Sequence, residues 1–249
     1  MSRNPLRNAL LAALLIPAVL APAFDPAFAA KPSKAAKAKT RALKITMKPE
    51  QVAELYARVA LRQDLEAAKQ LNAYSKPLYA NSENAFDLED LADTVGMEQQ
   101  YEGFADGILA DMPKVDKAKA KPALAAAIKR VNQLAAGAQC RGLSNTEQAN
   151  EYVKNGRISE VELECTVPAL SARMQDVLAK KGNPAKLKTK KLLEGLTEFD
   201  RLLDQAGSRV VPAKMTLYAP GKGQPWSTGS YNDIIETVHN GMYAEVAAD

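Results

Sequence analysis

Few residues in this chain are equipped for catalysis. There are two cysteines, Cys140 and Cys165, and one histidine, His239. One histidine rules out a zinc site of two or three histidines within a single chain. Glu236 and His239 form Glu-x-x-His, but a di-iron bundle needs that pair on two helices. A Ser-His-Asp triad is compatible with a single histidine, yet no serine lies in a G-x-S-x-G elbow. His239, followed by Asn240-Gly241, is expected at the surface or at a boundary of the fold. Gly221-Lys222-Gly223 lacks the spacing of a phosphate-binding P-loop, so it predicts an exposed turn. Trp226, the only tryptophan, is expected at the core edge beneath it. The acids of DLEDLAD (Asp87, Glu89, Asp90, Asp93) have helical rather than calcium-loop spacing. These residues imply no cofactor and no metal.

The cysteines lack C-x-x-C spacing, which excludes a thioredoxin-type motif. The compartment decides their chemistry. Arg3 and Arg7 precede the apolar run 9–23, and Ala27-Phe28-Ala29 closes it with a cleavage pattern. Charged start, apolar middle and small-residue exit predict a secretory signal peptide over residues 1–29. The run is shorter than the ~20 apolar residues that span a bilayer, and no later segment is apolar enough to do so. The protein is therefore expected in a bacterial periplasm or outside the cell. In that oxidising space the two thiols predict a structural disulfide.

Charge is unevenly divided. Lys31, Lys34, Lys37, Lys39, Arg41, Lys44 and Lys48 carry seven positive charges with no acid among them. Residues 49–249 hold 24 Lys plus Arg against 28 Asp plus Glu. The segment 30–48 is low in complexity and predicts a basic, disordered arm. Such an arm suits weak contact with an anionic membrane or wall polymer. No aromatic interleaves its lysines, and nucleic acid is not an expected partner.

The elements that must position these groups read mostly as helix. Val52, Leu55, Tyr56 and Val59 make one apolar face of a helix from Pro49 to about Ala73. Leu88, Leu91 and Val95, then Tyr101, Phe104 and Ile108, repeat the spacing as one kinked helix or two short ones. Residues 116–121 read as a charged linker, followed by a helix from Pro122 to about Gly137. An αα-hairpin, 167–181 and 185–206, carries the basic tip Lys180, Lys181, Lys186, Lys188, Lys190 and Lys191. Ser230-x-x-Asp233 caps a final helix.

Within the Cys140–Cys165 loop, Ser144-x-x-Glu147 is a capping box that predicts a short helix over 145–154. Beyond it Val161, Leu163 and Cys165 alternate with Glu160, Glu162 and Glu164. That pattern favours a strand with an acidic face, although a helix capped by Ser159 and Glu162 also fits. The only partner strand in view is 213–218.

The expected fold is a mostly α bundle of six to seven helices with a small two-stranded β element, 158–167 with 213–218. It would form one domain, 49–249, with a disulfide-closed insert at 140–165. Sparse catalytic signatures favour a non-enzymatic envelope binding protein of inhibitor, immunity, chaperone or adaptor type. Its partner surface would comprise Glu160, Glu162, Glu164, Lys222 and Trp226, and its partner would be another envelope or secreted protein. The alternatives are a cell-envelope hydrolase using paired carboxylates and a surface tether acting through the basic arm.

Overall fold

A computed structural model describes residues 46–79, 84–170 and 184–243. The described residues contain seven α-helices and a three-stranded antiparallel sheet of order β1-β2-β3. The helices are α1 (Pro49–Arg62), α2 (Leu65–Ser75), α3 (Leu88–Ala92), α4 (Thr94–Ala110), α5 (Lys117–Ala135), α6 (Thr189–Leu203) and α7 (Asn232–Tyr243). The strands are β1 (Gln139–Ala149), β2 (Arg157–Ala169) and β3 (Gly207–Ala219). The fold is thus mixed α/β, and the expected helical bundle with a small two-stranded element is overturned. The segments 158–167 and 213–218 do lie side by side, but within strands of 13 residues each. The missing third strand is β1.

Local bonding explains where the helices break. Pro49 opens α1, and the backbone N–H of Lys48 donates to Gln51 Oε1. The stripe Val52, Leu55, Tyr56, Val59 is buried. The expected single helix 49–73 is interrupted at Gln63, which takes a left-handed conformation with φ 52°. Asp64 then caps α2 by accepting from the N–H groups of Glu66 and Ala67, both at 3.0 Å. Hydrogen bonds to the ionised carboxylate hold the Asp64 pKa below its ordinary value, the Ala67 N–H foremost. Asp87 and Asp93 likewise cap α3 and α4. The expected linker 116–121 is instead the opening of α5. Asp116 caps it, and Lys121 reaches Asp106 on α4 at 2.8 Å. Pro122 lies inside that helix.

The capping box over 144–147 does not start a helix. Ser144 Oγ donates to Glu162 across the ladder, and Glu147 pairs with Arg157. Ten residues of β1 align with β2, with a register shift between Gly142 and Ser144. Tertiary pairing outweighs the local cap. The first helix expected in the hairpin, 167–181, begins in what is strand β2. Its remainder, with Lys180 and Lys181, lies outside the described residues, as do residues 1–45 with the leader and most of the basic arm.

α1 and α7 pack on one face of the sheet, and α4, α5 and α6 build outward from them. Val161, Leu163, Cys165, Val167, Met215 and Leu217 point into that layer and are buried. No helix among the described residues is long and apolar enough to cross a membrane.

Candidate functional site: the outer face of the sheet

Strand alternation sends successive side chains to opposite faces. On β2 Ser159, Val161, Leu163, Cys165 and Val167 face the helices and are buried, while Glu160, Glu162 and Thr166 are exposed and Glu164 is half-buried. The three glutamates therefore form a row on the central strand, about 6.6 Å apart by strand rise.

Register fixes their neighbours. Glu160 is flanked by Thr146 on β1 and Thr216 on β3, with no cation opposite it. Glu162 accepts from Ser144 Oγ at 3.1 Å and lies 3.9 Å from Lys214 Nζ. Glu164 accepts from Arg141 at 3.1 Å and faces Pro212. The pairs are exposed, so each contributes little to stability, about 0–1 kcal/mol.

Exposed apolar side chains lie at the two ends of the acidic row, with Val210 opposite Thr166 and Tyr218 opposite Ile158. Most of the large exposed ones among the described residues belong to the sheet: Leu143 at the bulge, Tyr152 and Val153 in the β1–β2 turn, and Val210 and Tyr218 on β3. Tyr152 is 94% exposed. Its turn is nonetheless built: Asn150 Oδ1 accepts from the Tyr152 N–H, the Asn150 N–H donates to the Gly156 carbonyl, and the Gly156 N–H donates to the Val153 carbonyl. Beside β3 a cleft of about 170 Å³ opens, lined by Lys214, Thr216, Tyr218, Thr228, Ser230 and Asp233 among others.

The structure brings together only part of the expected partner surface. Glu160, Glu162 and Glu164 share a face. Lys222 is exposed in the turn after β3, close to the β1–β2 turn: a Cβ on Gly221 would lie 3.9 Å from the Asn155 carbonyl oxygen. Trp226 is buried, so it offers no platform for a partner. Its backbone N–H donates to the Tyr74 hydroxyl at 2.8 Å, and the Arg157 guanidinium lies 5.2 Å from its ring centroid. Cys140 and Cys165 stand opposite each other in the register and are joined by a disulfide. His239, expected near the surface, is buried on α7. The arm residues Lys31, Lys34, Lys37, Lys39, Arg41 and Lys44 lie outside the described residues.

Sequence reasoning missed Leu143, Tyr152 and Val153. Tyr152 and Val153 fall within the expected helix 145–154 and Leu143 just before it, and the polar composition of β1 gives no alternation to correct that. Val210 and Tyr218 extend the alternation of β3 and could have been found from it.

Two further acids approach the sheet from α1. Glu50 Oε1 accepts from Asn145 Nδ2 at 2.7 Å, and Glu54 Oε1 accepts from the Gly142 N–H at 2.8 Å. These carboxylates hold β1 in place. Among the described residues, no group of three or more His, Cys, Asp or Glu is placed to hold a metal ion. No protein-family model matches the chain, nor does any curated protein or solved structure.

Proposed function

We propose that this is an extracytoplasmic binding protein that engages another protein through the outer face of its sheet. The observation that carries this reading is the makeup of that face. It combines a central row of glutamates with exposed Val210 and Tyr218, adjoins a turn carrying exposed Tyr152 and Val153, and no described helix packs over it. Exposed apolar groups gathered on one surface mark interaction sites, whereas scattered ones do not. Tyrosine is favoured in such contacts because it brings large area at low entropic cost. The acidic row selects a partner presenting Lys or Arg. The disulfide and the absence of a membrane-spanning helix among the described residues are compatible with a location outside the cytoplasm. In this reading 49–249 is one binding domain, preceded by a cleaved leader and the basic arm.

The test is capture from an envelope extract by the wild type and by a variant carrying Glu160→Lys, Glu162→Lys and Glu164→Lys. Circular dichroism and the urea midpoint establish that the variant folds. Val95→Lys, at an exposed apolar position on α4, controls for surface charge elsewhere. The charge-reversed variant is expected to lose the wild-type partner, and Val95→Lys to retain it. An identical set of captured proteins from all three would remove the sheet face as the interface.

A further inference from the structure

The C-terminal ends of α1 and α5 meet α4 and α7 around a cleft of about 190 Å³. None of its lining residues belongs to the sheet. Met97 and Tyr101 on α4, and Ile235 and His239 on α7, are each four residues apart. That spacing places each pair on one face of its helix.

The lining is graded in depth. Tyr101, Ile235 and His239 are buried, whereas Arg62 and Gln133 are exposed. The floor is thus largely apolar and the rim polar. Arg62 is the last residue of α1, and its Nε donates to the Ala138 carbonyl at 3.1 Å. That bond fixes the side chain and leaves further guanidinium donors for another acceptor. No ion pair of Arg62 is recorded among the described residues. Gln133 lines the same cleft.

Electrostatics orients any occupant. Two helix C-termini bring partial negative charge to the cleft, so an anionic head is disfavoured near them unless a cation offsets it. Arg62 supplies that cation at the rim. The volume is about six times a water's share of the liquid, ~30 Å³, which suits a short hydrocarbon body.

We propose that this cleft binds a small amphipathic carboxylate, its hydrocarbon against Met97, Tyr101 and Ile235 and its carboxylate on Arg62 at the rim. The reading is independent of the sheet face. A planar guanidinium matches a carboxylate with paired hydrogen bonds, which an ammonium on the ligand cannot accept.

The experiment titrates the isotopically labelled full chain with hexanoate, hexylamine and hexanol, following the side-chain resonances of Tyr101 and His239. Hexanoate is expected to shift both saturably, and hexylamine, which shares the hydrocarbon but cannot accept from Arg62, to bind more weakly than hexanoate. Arg62→Gln should weaken hexanoate about tenfold or more, the scale of one hydrogen bond to a charged group, and leave hexanol unchanged. Met97→Trp, which fills the cleft from its partly exposed side, should abolish both responses. Urea midpoints confirm that each variant is folded. The proposal is overturned by equal hexanoate affinity in the wild type and Arg62→Gln, by hexylamine binding as well as hexanoate, or by no saturable response in the wild type.

Discussion

Tyr56 stands in the interior of α1, 4% exposed, with its ring 5.9 Å from that of Phe86. Burial pushes its hydroxyl well above the ordinary tyrosine range, and nearby Tyr79 adds to the shift. A backbone hydrogen bond with Thr228 opposes it. In the unfolded chain the same hydroxyl ionises near pH 10. Above that pH the unfolded state holds fewer protons than the folded one, so stability falls as pH rises. The contribution of Tyr56 is fully present below about pH 10 and is lost progressively above it. Tyr56→Phe removes the hydrogen bond and should cost about 0.5–1.5 kcal/mol at neutral pH. The gap between the variant and the wild type is expected to narrow toward pH 11, as wild-type stability drops. Urea midpoints of both proteins at neutral and alkaline pH check this; a constant gap would contradict it.

Gly142 illustrates how one element seats another. It lies at the bulge of β1, where α1 comes close, and a Cβ there would sit 2.6 Å from the Glu50 Cβ. Gly142→Val therefore forces α1 and β1 apart and should cost about 1–3 kcal/mol, the range for overpacking. The denaturant midpoint reads it directly. The disulfide acts between elements as well. Cys140 belongs to an outer strand and Cys165 to the central one. Closing a loop with a sequence separation of 25 is worth about 3–4 kcal/mol in the chain-entropy model. Replacing both cysteines with serine should lower stability by about that amount. Hydrogen exchange should quicken first in 139–149, while 207–219 stays protected by β2. Equal loss of protection in both strands would refute a clamp specific to β1.

At the scale of the molecule, helices cover one face of the sheet and leave the other as the candidate docking surface. A sheet covered on one side shows alternation between apolar and polar residues, and β2 and β3 do so. The alternation in Val161, Leu163 and Cys165 was therefore legible in the sequence, as were most helical stripes and the pairing partner of β2. Three features were not. β1 reads as polar because it is an outer strand whose inward positions include Gly142, Asn145 and Glu147, held by hydrogen bonds and an ion pair instead of apolar burial. The break at Gln63 follows from the Asp64 cap and its Arg58 partner, which compete with a continuing apolar stripe. The burial of His239 depends on the layer packed over α7.

By itself the sequence determined periodicity: which helices have an apolar stripe, that β2 has an acidic side, and that only two cysteines were available to pair. These are properties of neighbours along the chain, set by the 3.6- and 2-residue repeats of the backbone. The tertiary structure alone decided that β1 is a strand, that His239 is interior, and that Glu160, Glu162 and Glu164 share an open face with Val210 and Tyr218. Contacts between segments tens of residues apart decide these outcomes. There, pairing and burial outweigh the local propensities that a sequence displays.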